Sequence, residues 1–468
     1  MLLKPKHWEA RRERYRGIRP AEIPPTRLFL LSFGLLILVG TLGLLFLPGL
    51  YEGARLGFVD ALFTATSAVC VTGLIVVDTA TYFTPLGQAW IALLIQLGGL
   101  GILTFTTLLI VLLGRRTTLG MEEAAGAQAH VLRHLDPKSL VKAVVISTFL
   151  LEALGAVALW LTWSGRFGTA GALWPAIFHA VSAFCNAGFS IFSDSLLGFQ
   201  RAPATLLLIS SLIVVGGIGF IVLADLRARY LSRTTTRLGT HTQLVLISTA
   251  IFLAAGMVLF LVFEWDDQLR HLSWPSRVVN ALFMSVTPRT AGFNTIDYDV
   301  STNPTFFLTI LLMIVGGSPG STAGGLKTTT AALLGLALWG RLRGQQSVSI
   351  RGRTVPAETV QRASGLAAGG LAFIAVAVFL LAMTEIPAAE TADRTQFLRL
   401  VFEAHSAFGT VGLSTGVTPA LSTVGRLIIT CVMFVGRVGP LSVASAMAFA
   451  EARTKVRYRF PYEDVVIG

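Results

Sequence analysis

Residues 60–74 read DALFTATSAVCVTGL, and three later stretches follow the same pattern: PAIFHAVSAFCNAGF (175–189), NALFMSVTPRTAGF (280–293) and RLVFEAHSAFGTVGL (399–413). Each stretch ends in a glycine followed by a large apolar residue. In three of them a phenylalanine lies ten residues before the glycine and a serine six before it, while the third is one residue shorter, with Phe283 nine before Gly292. One such glycine alone indicates a turn, but four at equivalent places indicate an internal repeat.

Each of these stretches lies between two long apolar segments. A helix of about 20 apolar residues spans a bilayer, and such segments start near Leu28, Ala89, Val144, Ala204, Leu244, Phe306, Ala367 and Leu427. The repeated stretches have only about ten apolar residues, which is the length of a re-entrant half-helix. Because irregular backbone at membrane depth must be buried or line a watery cavity, four re-entrant stretches indicate a central aqueous path.

The sequence therefore predicts an all-α integral membrane protein of four tandem units, each with a membrane helix, a pore helix and a membrane helix. We place the units at 27–114, 140–230, 242–340 and 362–451. A basic arm at 1–26 precedes them and a tail at 452–468 follows them.

The composition is that of a membrane protein. Hydrophobic residues make up 53% of the 468 residues and charged residues only 13%, whereas soluble domains have about 25% charged residues. The net charge of +12 could indicate nucleic-acid binding, but the arginines are scattered among loops and no RRM, helix-turn-helix or zinc pattern is present. Three cysteines without a CxxC pair indicate neither a disulfide framework nor a metal-ligand set.

Basic and acidic residues alternate along the connections between the apolar segments. Lysine and arginine collect in the N-terminal arm, in every second connection and in the tail. Because cytoplasmic loops are enriched in these residues, we predict a multi-pass protein of the cell membrane with both termini in the cytoplasm. The opposite connections hold acids, among them Asp78, Asp194, Asp297 and Asp299, which would raise the local concentration of cations.

The repeated glycines suit an ion-selective filter. Such a filter replaces the hydration shell of an ion with backbone carbonyls that point at one axis, and glycine reaches the required dihedral angles without a Cβ penalty. We expect ion binding at the last three residues of each repeated stretch, with K⁺ at each glycine. These residues are Val71, Thr72, Gly73, Asn186, Ala187, Gly188, Thr290, Ala291, Gly292, Thr410, Val411 and Gly412.

The segment 306–338 is longer than one crossing and contains GGSPGSTAGG at 316–325. Proline and clustered glycines break a helix, and a mobile loop below a filter would make a gate. The alternative is a phosphate-binding loop, since Lys327 follows, but the pattern is not GxxxxGK[ST] and no strand precedes it. The predicted gate residues here are Gly316, Gly317, Ser318, Gly320, Ser321, Gly324, Gly325 and Lys327.

Several other side chains have both a functional and a structural interpretation. Charges inside apolar spans, such as Lys327 and Arg437, normally face a cavity or a partner, and an ion pair with Glu152 is the alternative for both. Buried cysteine and lone histidine are more often packing residues, and we assign that role to Cys70, Cys185, His179 and His405. The strings GLGI and GGIGF are typical of glycine-mediated helix packing. No HExxH, GxSxG or paired intramembrane Asp is present, so we predict no enzyme; an intramembrane enzyme or a non-conducting receptor is the remote alternative.

Six stretches carry a resemblance to a known family. They are SAVCVTGLIVVDTATYF (67–83), IQLGGLGILTF (95–105), SVTPRTAGFNTIDY (285–298), GGSPGSTAGGLKTTT (316–330), FGTVGLSTG (408–416) and VGRVGPLS (435–442). The chain resembles the Trk/Ktr/HKT superfamily of K⁺ transporters, most closely the membrane-spanning subunit of the bacterial Ktr potassium uptake system. Trk-type members typically have two additional N-terminal spans, whereas the first unit here begins at Leu28.

The resemblance implies several further properties. It implies four units in a pseudo-fourfold arrangement around a central ion pore, a homodimer in membrane lipid, and a cytosolic ring of nucleotide-binding RCK domains as a separate partner. Arg437 matches an arginine that lies beside the gate loop in the family. No cofactor is expected in this chain, nucleotide would bind the partner, and Na⁺ is a candidate stimulant. Plant relatives that prefer Na⁺ have serine at the first filter glycine, which is Gly73 here; a Trk-type or Na⁺-permeable relative is the alternative.

Overall fold

The computed structural model describes residues 25–115, 137–230, 238–345, 347–350, 352–386 and 394–439. These residues are mostly helical, as predicted. The basic arm and the tail lie outside the described residues, apart from Pro25 and Thr26 of the arm. The boundaries of the four units stay predictions.

The first half of the chain contains two groups of helices, each of which begins with a long helix followed by a shorter one. The first group consists of α1 (Pro25–Phe46), α2 (Phe58–Val69), the four-residue α3 (Thr79–Tyr82) and α4 (Pro85–Arg115). The second group consists of α5 (Pro137–Phe167), α6 (Thr169–Phe184), a 3₁₀ turn (Leu197–Phe199), α7 (Pro203–Ile218) and α8 (Phe220–Tyr230).

The second half repeats this order. The third group consists of α9 (Thr240–Glu264), α10 (Trp274–Val286), α11 (Asn303–Ile314) and α12 (Thr328–Leu342). A two-stranded antiparallel hairpin follows, with β1 (Ser349–Ile350) paired to β2 (Arg353–Thr354). The fourth group consists of α13 (Ala357–Glu385), α14 (Arg394–Gly409), a 3₁₀ turn (Thr418–Ala420) and α15 (Thr423–Val438).

Local sequence signals explain where several of these helices begin. The side chain of Thr302 accepts a hydrogen bond from the Thr305 amide at the start of α11, and Ser422 accepts one from the Gly425 amide at the start of α15. Both are N-caps that satisfy a free amide of the first turn. Proline opens α7 at Pro203, where the missing N–H has no partner to lose.

All eight predicted apolar segments start inside a helix. Within the described residues, three helices are long and apolar enough to cross a membrane by themselves: Val141–Phe167, Thr240–Glu264 and Ala357–Glu385. A fourth crossing is formed if α7 and α8, which meet at an angle of 99°, count as one broken span. These findings are consistent with a membrane protein.

The predicted span that starts near Ala204 is bent by 99° between α7 and α8. The break lies at Gly219, whose φ is +90°, and a Cβ at this position would lie 2.9 Å from the carbonyl oxygen of Pro319. The helix α15 ends in the same way at Gly439, with φ of +92°. Both breaks fall in strings that the sequence indicated only as packing or family motifs.

The short helices lie inside the molecule, and the long helices turn apolar side chains outward. The four repeated phenylalanines, Phe63, Phe178, Phe283 and Phe402, are each at most 1% exposed. By contrast, Leu154 on α5 is 59% exposed. Apolar side chains on the outside are expected where lipid replaces water, and the buried ones contribute through close packing.

Candidate ion-binding site

The four glycine loops (residues 71–73, 186–188, 290–292 and 410–412) follow directly on the short helices α2, α6, α10 and α14. Each loop has two residues with a left-handed backbone. One is the glycine, with φ of +94°, +71°, +78° and +91° for Gly73, Gly188, Gly292 and Gly412. The other lies two residues earlier and is not glycine: Val71 (+55°), Asn186 (+60°), Thr290 (+74°) and Thr410 (+49°).

This backbone is strained at the non-glycine positions. A non-glycine residue in the left-handed region destabilises the fold by about 1–3 kcal/mol, and it persists where the surroundings impose it. Here the imposing contact is a backbone hydrogen bond: in the first loop the Val71 amide donates to Ala68 O (3.1 Å) and the Thr72 amide to Ser67 O (2.8 Å). Left-handed residues on both sides of Thr72 let successive carbonyls face the same side.

A hydroxyl group holds the backbone around each of these glycines. In the fourth loop Ser406 Oγ accepts a hydrogen bond from the Gly412 amide (3.1 Å), and in the first three a hydroxyl donates to a carbonyl. Ser67 Oγ donates to Leu74 O (2.7 Å) and Ser182 Oγ to Phe189 O (2.7 Å), just beyond the glycine. In the shorter third stretch Thr287 Oγ1 donates to Phe293 O (2.5 Å). Thr287 lies four residues after its phenylalanine, as the serines do, so the missing residue was lost between the hydroxyl and the glycine.

The four glycines form a closed ring. A Cβ added to each glycine would overlap the carbonyl oxygen of the residue before the next glycine in the ring. The pairs are Gly73 with Ala187, Gly188 with Ala291, Gly292 with Val411, and Gly412 with Thr72. The ring thus runs in chain order and closes from the fourth glycine to the first. Backbone approaches this closely only because no side chain stands between the loops.

A cavity of about 460 Å³ opens over this ring. All four glycines lie on its floor, and Asp78, Asp194, Asp297 and Asp299 line its wall. Asp299 is paired with Arg399, with 2.7 Å between Oδ1 and Nη2. The other three carboxylates make the mouth of the cavity negative, which favours cations near the glycine ring.

The glycine-rich segment (residues 316–325) connects α11 and α12. It is almost wholly buried, and it contacts the second helix group through its backbone. The Ser318 amide donates to Gly217 O (2.9 Å), and the Thr322 amide donates to Gly216 O (3.3 Å). Thr322 Oγ1 donates to Phe184 O at the end of α6 (3.2 Å).

The same segment touches the third and fourth glycine loops. A Cβ on Gly316 would lie 3.2 Å from Thr290 Cγ2, and one on Gly324 would overlap the Thr410 side chain. Thr290 and Thr410 are the left-handed residues of those loops. The segment therefore lies directly against the inner end of the glycine ring.

The charged side chains predicted beside the segment bind its carbonyls. Arg437, 3% exposed, donates from Nη1 to Thr322 O and from Nη2 to Gly98 O (3.4 Å), which ties the segment to α4. Lys327 Nζ donates to Ala323 O (2.6 Å). Neither pairs with Glu152 within the described part of the chain. That carboxylate accepts from Gln96 Nε2 (3.1 Å) and Cys185 Sγ (3.7 Å) instead.

A family model described as "TrkH: Cation transport protein" matches residues 32–455. The chain belongs to this family. Among the relatives, the potassium/sodium uptake protein NtpJ of Enterococcus hirae is 37% identical over 95% of this chain and 98% of its own. The Ktr system potassium uptake protein B of Bacillus subtilis is 36% identical over 96% of this chain and 98% of its own.

The structure of the potassium transporter TrkH from Vibrio parahaemolyticus has the same fold, with a TM-score of 0.74. The match covers 93% of this chain and 87% of that one at 18% identity. The membership confirms the resemblance drawn from the sequence and the prediction of a cation transporter that is not an enzyme. It also establishes the chain as a membrane protein.

Glu403 of this cation transporter was missed in the sequence. It lies on α14, is completely buried, and accepts hydrogen bonds from Ser414 Oγ (2.5 Å), the Thr415 amide (3.0 Å) and Thr418 Oγ1 (2.8 Å). These partners belong to the chain just outside Gly412. The signal in the sequence was an acid within a short apolar helix, which is rarely there without a task.

The equivalent residue in the second group is His179, one residue after the repeated phenylalanine. Its Nε2 lies 3.0 Å from Ser190 Oγ and its Nδ1 lies 2.8 Å from Pro175 O. Ser190 and Ser414 both follow their glycine by two residues. His179 is a buried structural residue, as expected, but it supports the outer end of a glycine loop in the way that Glu403 does.

We expect Glu403→Gln to lower the free energy of unfolding of the purified transporter by about 1–3 kcal/mol, and so to lower its unfolding temperature. The reason is that an amide N–H would face hydrogen-bond donors in a buried place. The measurement is the unfolding midpoint in detergent. Glu358→Gln is the matched control, since Glu358 forms an exposed pair with Arg362 and such pairs contribute little. Equal midpoints for the two variants would contradict this role.

Proposed function

We propose that the chain is the K⁺-translocating pore subunit of a Ktr-type potassium uptake system. The observation that carries the proposal is the closed ring of Gly73, Gly188, Gly292 and Gly412, in which left-handed backbone brings four loops into contact. The relatives named for potassium uptake, at 36% identity over nearly the full length, support K⁺ as the ion.

Ions would enter from the acidic mouth and pass the ring in single file. The mouth, with Asp78, Asp194 and Asp297 on its wall, attracts cations. Carbonyls of the residues 71–73, 186–188, 290–292 and 410–412 would then replace the water around the ion. The C-terminal ends of α2, α6, α10 and α14 lead directly into these loops, and their negative dipole ends would stabilise a cation there.

The glycine-rich segment would act as the gate. Its position against Thr290 and Thr410 supports this role, because an ion leaving the ring would meet the segment next. Arg437 holds the segment by Thr322 O, and its positive charge at low dielectric would raise the barrier to a cation while the gate is closed.

A Na⁺-permeable transporter is the second candidate. It is favoured by the relative named a potassium/sodium uptake protein, which is 37% identical to this chain. The two candidates predict different results in the same experiment, which is uptake of radioactive rubidium, as a tracer of K⁺, and radioactive sodium into proteoliposomes that contain the chain alone. Rubidium uptake that exceeds sodium uptake and is competed by K⁺ supports the K⁺ pore; equal uptake supports the second candidate. Uptake no faster than in empty liposomes, also when residues 319–322 of the proposed gate are deleted, rejects both.

The basic connections and the acidic mouth support a cell-membrane protein with both termini in the cytoplasm, and we propose this orientation. We also propose that a separate subunit regulates transport by this chain. Family membership supports this, as do the names of the Ktr system relatives, which imply a system of more than one component. The chain would form a homodimer and dock on a cytosolic ring of nucleotide-binding RCK subunits, with the nucleotide bound by that partner.

We expect the purified protein to contain two copies of the 50.1-kDa chain and to gain mass when an RCK protein is co-expressed. Mass photometry measures both. The detergent-solubilised chain expressed without the RCK protein is the control for the gain in mass. A monomeric chain whose mass is unchanged by co-expression of the RCK protein would contradict both the homodimer and the binding of the RCK protein.

A further inference from the structure

Arg289 lies in the third repeated stretch, directly before the left-handed residue Thr290. Its side chain is buried, with 7% exposed. The guanidinium donates to Gly316 O (3.3 Å) and Thr328 Oγ1 (3.0 Å), and its other branch donates to Thr249 O on α9 (3.4 Å). The guanidinium also lies over the Phe252 ring, 5.5 Å from its centre.

The first two acceptors stand at the two ends of the glycine-rich segment. Gly316 opens the segment, and Thr328 begins the helix that follows it. These ends are paired with each other. The Gly316 amide donates to Leu326 O (2.8 Å), the Thr328 amide to Gly317 O (2.9 Å), and Thr328 Oγ1 to Gly316 O (2.8 Å). Residues 316–317 and 326–328 thus form a hydrogen-bonded neck, and residues 318–325 project from it. Arg289 binds this neck.

No carboxylate in the described residues forms an ion pair with Arg289. Exposed or half-buried arginines do have such partners, as in the pairs of Arg362 with Glu358, Arg399 with Asp299 and Arg426 with Asp60. An arginine buried at membrane depth without an acid is unfavourable, and such residues mark functional places. A neutral side chain would fill the space with a smaller desolvation penalty, so stability alone does not explain arginine here.

The arginine stands in one particular unit. The residues before the left-handed position are Cys70, Cys185 and Gly409 in the first, second and fourth stretches, and Arg289 in the third. The third unit is also the one whose second membrane segment contains the glycine-rich insertion. The arginine thus occurs in the one of the four loops whose own unit contains the glycine-rich segment.

We propose that Arg289 is a latch that joins the third glycine loop to both ends of the glycine-rich segment, so that the segment cannot shift without moving the ring. The proposal rests on the proposed function, since it assigns a coupling between that filter and that gate. A guanidinium suits this task because its planar fork fixes two donors relative to each other: Nη2 binds both Gly316 O and Thr328 Oγ1 while Nη1 binds Thr249 O on α9. An ammonium acts as a point charge instead. The coupling should therefore depend on the fork as well as on the charge.

The test compares Arg289→Lys, Thr328→Val and the double variant by rubidium and sodium uptake into proteoliposomes. Arg289→Lys keeps the positive charge and removes the planar guanidinium. Thr328→Val removes the hydroxyl that accepts from Arg289 and donates to Gly316 O. We expect each single variant to raise rubidium uptake about tenfold and to lower the rubidium-to-sodium ratio, since a hydrogen bond from a charged donor is worth on the order of a tenfold change in equilibrium. The double variant should resemble the stronger single variant, because both break one contact.

Arg277→Lys is the matched control. Arg277 lies on α10, the helix that leads into the loop of Arg289. It donates to Leu272 O (3.0 Å) and Trp265 O (3.1 Å) and lies 4.5 Å from the centre of the Trp265 ring, and none of these contacts involves the glycine-rich segment. It should change neither uptake nor selectivity. If lysine at Arg289 prevents folding, Thr328→Val alone decides.

Unchanged gating and selectivity in Thr328→Val, or effects that add in the double variant, would overturn the latch. So would an equal response to Arg277→Lys. The proposed function fails by a different result, which is the absence of rubidium uptake in the parent and in every variant. A parent that conducts while the variants behave like it rejects the latch and leaves the pore intact.

Discussion

Serine in place of Gly73 is expected to remove most of the preference for K⁺ over Na⁺. A Cβ at this position would overlap Ala187 O and crowd the backbone of Gly188, and the φ of +94° is unfavourable for any side chain. The ring must therefore widen or one loop must turn its carbonyl away. An L-residue forced into such a conformation is strained by about 1–3 kcal/mol, and each 1.4 kcal/mol of lost discrimination is about a tenfold change in the rubidium-to-sodium ratio.

The control is Gly53→Ser, because nothing lies within 4 Å of a Cβ at Gly53 and its φ is not left-handed. Both variants are compared with the parent by initial rates of rubidium and sodium uptake. An unchanged ratio in Gly73→Ser, with the protein folded and inserted, would remove Gly73 from the filter.

Deletion of residues 319–322 is expected to raise rubidium uptake by about tenfold or more and to make it independent of a regulatory partner. The deletion removes the part of the glycine-rich segment that contacts Gly216, Gly219 and Arg437. It leaves the paired neck at Gly316 and Thr328 in place. If the segment blocks the path, its deletion should lower the free-energy barrier to ion passage by at least ~1.4 kcal/mol, which corresponds to the tenfold change.

Arg437→Ala should act in the same direction with a smaller effect, since it removes a positive charge at low dielectric but leaves the segment in the path. Arg426→Ala is the control, because Arg426 lies on the same helix and pairs with Asp60 at the other end of α15. If the deletion and Arg437→Ala both fold and conduct less than the parent, the segment is a packing element and the barrier lies in the ring.

The short helices and their glycines could be predicted because four copies of one pattern reduce the chance of coincidence. Phe63 and its three equivalents are buried, and the repeated Ser67 donates its hydroxyl to Leu74 O, just beyond the glycine. Thr287 could have been identified as the missing hydroxyl by counting from the phenylalanine and not from the glycine. The family resemblance placed Arg437 beside the glycine-rich segment, and in the structure Arg437 donates to Thr322 O of that segment.

Features that depend on tertiary contacts could not be read from the sequence. Val71 is β-branched and disfavoured in the left-handed region, and only the hydrogen bonds of its loop impose that conformation. The break at Gly219 looks like a packing glycine until the carbonyl of Pro319, a hundred residues on, is seen against it. Likewise, the partners of Arg289 and Glu403 are remote in the chain or belong to irregular loops.

The ring described above is made by one polypeptide, and this sets how it can change. In a channel of four identical subunits a single codon alters four places at once. Here the residues before the glycines are already different: Thr72, Ala187, Ala291 and Val411. A substitution shifts one quarter of the ring and leaves the rest as it was. If the ring is the filter, substitutions at these four positions would adjust ion preference one loop at a time, whereas a change at a glycine itself would have a large effect.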